Sequence, residues 1–234
     1  MSERVSLTTD EAVAVITMDD GKVNALSPAM QADLHAALDE VEGNDAVAGV
    51  VLAGRPGVFS AGFDLKVMGA GDMGAIVDMV AGGGEFVRRL FGFPKPVVAA
   101  ATGHALAAGA FTLLGCDVRF GTDDDGAKFG MNEVAIGMVL PGWAAIIADT
   151  RLSNRHRHRA AMNARITGPV QAAEVGFLDE VVAADAVLES AVAEAASFTA
   201  LDPKSYAGMI KLHRGDVLDR MDAAIAADRA AISG

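Results

Sequence analysis

Up to about Ser153 the chain alternates short, β-branched apolar runs with segments whose apolar residues recur at helical spacing. Val13 to Met18 is such a run and stops at Asp-Asp-Gly, which predicts a strand and a turn. Ser27 precedes Pro28, and apolar residues follow at Met30, Leu34, Leu38 and Val41. This predicts a helix capped by the serine hydroxyl, with proline at the first position, where its missing N–H costs nothing. Val47 to Ala53 predicts a second strand, closed by the turn Gly54-Arg55-Pro56-Gly57. Pro96 to Ala101 and Val118 to Gly121 predict two more, with a buried helix from Gly109 to Leu114 between them. The Gly- and Met-rich stretch from Val67 to Gly84 has no clear period beyond a helical piece near Ala75 to Val80. It reads as mobile or loosely packed, with helix resuming from Glu85 to Leu90. Beyond Ser153 helical patterning dominates, in alanine-rich segments near residues 157–164, 169–176, 185–200 and 203–230. Strands alternating with helices, then helices alone, predict an α/β core over residues 1–184 and a helical region over 185–234.

Composition narrows the function. The 234 residues suit one large domain, or one domain with a small appendage, and 52% hydrophobic residues supply a sizeable core. A net charge of −12 argues against nucleic acid as a partner. Cys116 is the single cysteine and reads as a small core residue, so nothing points to an oxidising compartment. The opening Met-Ser-Glu-Arg-Val lacks an apolar signal core, and a cytoplasmic location is expected. Mean hydropathy is high at +0.33, and no Asp, Glu, Lys or Arg lies between Lys95 and Asp117. That stretch contains Pro96, Thr102, Gly103, His104, Gly109 and Gly115, and its apolar content is mostly alanine. A strand, loop and helix fit it better than a membrane span. The five histidines show no metal-ligand spacing, so no metal site is expected. No phosphate-loop or dinucleotide fingerprint appears, which leaves NAD, FAD and ATP without support.

Two segments carry candidate chemistry. Val58-Phe59-Ser60-Ala61-Gly62-Phe63-Asp64-Leu65-Lys66 follows a strand and a turn, and Thr102-Gly103-His104-Ala105-Leu106-Ala107-Ala108-Gly109-Ala110 follows another strand and opens a helix. Both put small residues where the backbone must approach something closely. Backbone N–H groups at helix starts favour anions, and two of them converging on one oxygen would make an oxyanion hole. Taken alone, each segment more often means tight strand–helix packing.

Together and in this order, the two segments resemble those of the crotonase (enoyl-CoA hydratase/isomerase) superfamily. Phe129-Gly130-Met131-Asn132-Glu133-Val134-Ala135-Ile136-Gly137 with Pro141-Gly142, Asn24-Ala25-Leu26, and Ala173 to Val182 match three further motifs. The resemblance implies a ββα spiral core with a C-terminal helical oligomerisation region, assembled as a homotrimer or hexamer. It implies an acyl-CoA thioester substrate, with coenzyme A part of the substrate and no other cofactor. The implied oxyanion donors are the backbone N–H groups of Phe63 and Ala108. The triplet Ala107-Ala108-Gly109 is richer in methyls than the family's glycine triplet. Coenzyme A would lie against Ala25 and the stretch Ala61, Gly62, Asp64, Leu65 and Lys66, with Gly109, Phe111, Pro141 and Gly142 also placed at the substrate.

A hydratase that resembles this chain has two glutamates. One corresponds to Phe111 and the other to Glu133. Hydration needs water held and deprotonated at one carbon while a proton reaches its neighbour, a task two carboxylates divide. Moving a double bond needs one base, while the oxyanion hole holds the dienolate. With one glutamate and an apolar wall, isomerase-type chemistry is expected. A hydratase with an atypical second acid and a non-catalytic acyl-CoA-binding protein are the alternatives. A further carboxylate entering from elsewhere in the chain is left open. Acyl-chain selection is expected to rest on residues 67–84, Phe111 and Trp143, though Trp143 reads equally as a packing residue. The run Arg155-His156-Arg157-His158-Arg159 reads as a solvated face or an oligomer contact before a phosphate site, and His104 as a structural histidine.

Overall fold

The computed structural model describes residues 2–230, so Met1 and residues 231–234 of the two expected regions lie outside the described residues. The strands are β1 (Val5–Asp10), β2 (Val13–Met18), β3 (Gly49–Ala53), β4 (Gly57–Ser60), β5 (Val97–Ala101), β6 (Gly103–Leu106), β7 (Val118–Thr122), β8 (Phe129–Gly130) and β9 (Glu180–Val182). The helices are α1 (Pro28–Glu42), α2 (Leu65–Gly69), α3 (Met73–Phe91), α4 (Ala108–Gly115), α5 (Gly142–Arg151), α6 (Arg157–Ala161), α7 (Pro169–Val175), α8 (Val187–Ser197) and α9 (Pro203–Ala230). A six-stranded sheet runs in the order β1-β2-β3-β5-β7-β9, and a three-stranded sheet in the order β4-β6-β8. Among the pairings of these named strands, the β1–β2 hairpin is antiparallel and the rest are parallel. This is the expected α/β class, with successive strands and helices coiling into a spiral.

The larger sheet is covered on both faces, which is why its central strands read as continuous apolar runs. Val50 and Leu52 of β3 face the main core with α1, α3 and α4, whereas Val51 and Ala53 face a second cluster. That second cluster is completed by Val187, Ala191 and Ala195, one stripe of α8 at four-residue spacing. A Cβ on Gly49 would come 2.5 Å from the Ala195 carbonyl oxygen, so glycine sets how closely α8 approaches β3.

The segment expected to be mobile is instead helical. Residues 73–91 form the single helix α3, capped by the Asp72 side chain accepting from the Ala75 N–H at 3.1 Å. Three of its glycines, Gly82, Gly83 and Gly84, are packing sites. A Cβ at Gly82 would meet Gln31, one at Gly83 the Phe63 ring, and one at Gly84 the Trp143 ring. Large side chains from three other elements occupy the space those glycines leave, so a composition that resembles a loop is here a helix flattened for contact.

The long helix α9 packs along α3 and α5. Arg88 clasps Asp222 through two hydrogen bonds of 2.8 and 2.9 Å, and Arg229 meets Glu85 at 2.6 Å. In the first half of α9, Arg214 lies 4.4 Å from the centre of the Phe91 ring and Tyr206 donates to Asp117. The uncharged stretch after Lys95 forms β5, β6 and α4, and among the described residues no helix is long and apolar enough to cross a membrane.

Candidate active site

The two small-residue segments converge. β4 leads through Ala61–Asp64 into α2, and β6 leads through Ala107 into α4. Gly62 adopts φ +100, and a Cβ there would lie 2.8 Å from the Ala107 Cβ and 3.3 Å from the Ala108 nitrogen. The two backbones are therefore in contact where the sequence expectation places the paired donors. Among the described residues, neither the Phe63 N–H nor the Ala108 N–H is taken by an acceptor. The Ala61 N–H donates to Val23, the Leu26 N–H to Gly62, and the Ala107 N–H to Gly130. This leaves the two candidate donors unpaired beside the bonded amides of Ala61, Gly62 and Ala107.

Polar side chains lock that junction. Asn24 is buried in the left-handed region at φ 51. Its Nδ2 donates to the carbonyls of Met18 and Phe59 at 2.9 and 3.1 Å, joining β2 to β4. The Ser60 hydroxyl donates to the Asn24 carbonyl at 2.7 Å and accepts from the Gly62 N–H at 3.2 Å. Asp20 accepts from the N–H groups of Lys22, Asn24 and Ala25. Burial pushes its carboxyl upward, but those donors and nearby Arg55 outweigh burial and hold it below the usual range. Asp64 caps α2 by accepting from the Lys66 N–H at 2.9 Å.

Two cavities open at this junction. The larger, about 770 Å³, is lined by Ala25, Ala61, Asp64, Leu65, Lys66 and Ala107, with Arg4 and Lys22 adding basic groups. The smaller, about 300 Å³, is lined by Ile76, Val77, Val80 and Ala81 of α3, Phe111 of α4, Leu140 and Pro141, and Asp228 of α9. Phe63, Glu133 and Met138 line both, so Glu133 stands where they adjoin.

Glu133 is 7% exposed and begins the 3-10 turn Val134–Ile136. Its carbonyl accepts from the N–H groups of Ile136 and Met138, and Gly137 at φ +79 closes the turn. The carboxyl is raised above its ordinary value by burial, against the opposing pull of its own N–H and that of Asn132. One carboxylate oxygen, Oε2, is buried without a partner. A buried, partly unsatisfied carboxyl with elevated proton affinity, opening on two cavities, has the properties of a general base.

The remaining expected residues fall into two groups. Phe111 is buried and lines the smaller cavity, with its ring edge-to-face on Trp143 at 5.5 Å and 78°. Trp143 lines neither cavity; it is fully buried behind Phe111 and against Gly84. Gly109 also faces no cavity: a Cβ there would meet the Ser60 carbonyl oxygen at 2.3 Å, so it sets the approach of α4 to β4. Gly142 contributes its N–H to Asp228 at 3.1 Å. His104 accepts from the Lys128 N–H through Nδ1 at 3.0 Å, which fits the structural reading. The basic run around α6 lines a separate cavity of about 150 Å³ beside Thr167 and Glu174. Among the described residues, no cluster of potential ligands is arranged to hold a metal. Sequence reasoning missed Arg4, Lys22, Met138 and Asp228, none of which carries a local motif.

The sequence profile of the family described as "Enoyl-CoA hydratase/isomerase" matches residues 8–233. A probable enoyl-CoA hydratase of Bacillus subtilis is 30% identical over 221 residues, covering 89% of this chain and 81% of that protein. Among solved structures, a probable enoyl-CoA hydratase of Mycobacterium tuberculosis shares 39% identity over 99% of this chain and 97% of its own, with a TM-score of 0.94. The human mitochondrial delta3-delta2-enoyl-CoA isomerase shares 28% identity over 99% of this chain and 92% of its own, with a TM-score of 0.91. With its profile spanning nearly the whole chain, its fold shared end to end and its two small-residue junctions meeting beside one buried glutamate, the chain belongs to the enoyl-CoA hydratase/isomerase family of enzymes.

Proposed function

We propose that the enzyme shifts the double bond of a 3-enoyl-CoA thioester to the 2-position, with Glu133 as its single acid/base. The observation that carries this reading is that Glu133 is, among the described residues, the one acid lining both cavities. The larger cavity would take the coenzyme A portion, with Lys22 and Lys66 near its anionic groups, and the smaller would take the acyl tail. The thioester oxygen would then accept from the Phe63 and Ala108 N–H groups. As Glu133 removes a proton from C2, negative charge moves onto that oxygen, where the two fixed donors stabilise the dienolate. The double bond moves to C2–C3, and the Glu133 carboxyl returns the proton to C4. Phe111, backed by Trp143, presents an apolar wall at the position of the expected second glutamate, which disfavours holding a water there for addition, and the cavity's other carboxylate, Asp228, is engaged by the Gly142 N–H. The chemistry draws on no further cofactor. The homotrimer or hexamer that the resemblance implies is part of the same proposal and is read by sedimentation.

The test is turnover of a 3-enoyl-CoA and a 2-enoyl-CoA side by side, with Glu133→Ala as control. Conversion of the 3-enoyl ester with slow or absent hydration of the 2-enoyl ester is the expected result. Brisk hydration of the 2-enoyl ester overturns the one-base reading in favour of a hydratase. Tight binding of both esters without turnover, unchanged in Glu133→Ala, makes the protein a non-catalytic binder.

A further inference from the structure

The smaller cavity carries a feature that moving a double bond does not use. Its lining is apolar along α3, at Phe111 and at Leu140–Pro141, yet α9 contributes the carboxylate of Asp228 to the same wall. Asp228 is half-buried. Among the described residues its one hydrogen bond is from the Gly142 N–H to Oδ2, at 3.1 Å. Both carboxylate oxygens hold close to the Gly142 backbone, 3.7 and 3.8 Å from where a Cβ would stand. The Arg229 guanidinium beside it in sequence turns to Glu85 of α3. Oδ1 thus remains open to an occupant of a chamber whose lining, apart from Glu133 where the two cavities adjoin, is otherwise apolar.

We infer that Asp228 is a specificity-determining residue that selects acyl chains bearing a hydrogen-bond donor, such as a hydroxyl, towards the end remote from the thioester. This rests on the acyl-CoA reading above and adds the chemical class of the acyl tail. A plain alkyl end reaching Asp228 strips water from a carboxylate and returns no hydrogen bond, which is unfavourable. A hydroxyl at the same depth donates to Oδ1 and restores what the water supplied, and such bonds to charged acceptors are the stronger kind. A chain that stops short of Asp228 leaves its hydration intact and is not discriminated.

Calorimetric binding of saturated esters, which cannot turn over, tests this independently of the reaction. Hexanoyl-, octanoyl- and decanoyl-CoA are compared with their ω-hydroxy counterparts on the wild-type protein, Asp228→Asn and Asp228→Leu. Asn keeps an acceptor for the Gly142 N–H while losing the charge, and melting curves establish that each variant is folded. At the chain length that reaches Asp228, the wild type is expected to favour the hydroxylated ester by about tenfold. The preference narrows in Asp228→Asn and reverses in Asp228→Leu. Equal affinities for each pair in the wild type overturn the inference, as does a preference that survives in Asp228→Leu. If no ester of either kind binds the wild type, the acyl-CoA reading has failed and this inference falls with it. A preference without turnover of 3-enoyl esters keeps the inference and removes only the isomerase assignment.

Discussion

Gly83 of α3 lies against the ring of Phe63: a Cβ at position 83 would come 2.5 Å from its Cε1. The ring belongs to the residue whose N–H is the first proposed oxyanion donor, so a helix glycine remote in sequence sets where that donor points. Gly83→Ala is expected to lower kcat by about tenfold or more, since small displacements of reacting groups carry large rate effects. Gly208 of α9 has nothing within 4 Å of its Cβ position. Gly208→Ala is therefore expected to leave kcat alone and to stabilise the fold by about 0.5 to 1 kcal/mol through helix propensity. Steady-state kinetics and urea titration of the pair check this; equal kcat for Gly83→Ala and wild type would remove Phe63 from its position.

Burial raises the Glu133 carboxyl, which fixes the sign of two pH effects. As a base it must be ionised, so kcat/KM should climb with pH through an acid limb above the ordinary carboxylate range. For stability, a folded-state value above the unfolded one means that the contribution is fully present below the unfolded value. It is lost as pH rises through the folded value. Glu133→Gln should thus melt higher than wild type at neutral pH and no differently in acid, while losing roughly 10²–10⁴-fold in turnover. A variant that melts lower at neutral pH would show that the carboxylate is better satisfied in the fold than its unpartnered Oε2 indicates.

Ala107 holds φ 50 and ψ −124 directly before α4, a conformation that glycine adopts without strain. Such strain costs on the order of 1–3 kcal/mol, partly balanced by the greater freedom of glycine in the unfolded chain. Ala107→Gly is expected to stabilise the protein by roughly 1 kcal/mol in urea unfolding. It should also widen the space beside the thioester, raising KM more than it lowers kcat. A destabilised Ala107→Gly protein would mean that the alanine methyl contributes more by packing on Gly62 than its backbone costs.

Arg119 is 5% exposed at the side chain and is held by Asp179 through contacts of 2.7 and 2.6 Å, joining β7 to the segment entering β9. Removing the carboxylate strands a buried cation. Asp179→Ala should cost about 2–3 kcal/mol, less than for a fully enclosed pair because Asp179 is half open to water. The Arg119→Met, Asp179→Leu double variant should recover most of that loss. Unfolding curves of the two proteins decide it, and equal losses in both would assign the effect to β9 docking rather than to charge.

Much of the fold is legible in residue order because β3 and β5 are continuous apolar runs buried on both faces and β2 and β7 are short, largely apolar runs. β1 escapes because it lies at the sheet edge and is largely exposed, so it has no such run. β4, β6 and β8 have only four, four and two residues, too few to establish a period. The helix over 73–91 is obscured because Gly82, Gly83 and Gly84 read locally as a breaker, while the side chains that justify them come from Gln31, Phe63 and Trp143. The junction of the two small-residue segments is readable as a motif, but its closure against Glu133 is not. Asp228 is 86 residues from the Gly142 it bonds, on a helix whose own sequence is ordinary.

The proposed oxyanion donors are main-chain groups at positions 63 and 108. A codon change at either position alters a side chain and leaves the amide in place, proline excepted. The charge-stabilising half of the chemistry is therefore buffered against drift and is inherited with the path of the chain. The acid/base half has no such cover, because it resides in the one carboxylate of Glu133. Mutational decay of a lineage carrying this site would thus be expected to produce proteins that still grip a thioester long after they have ceased to move its protons.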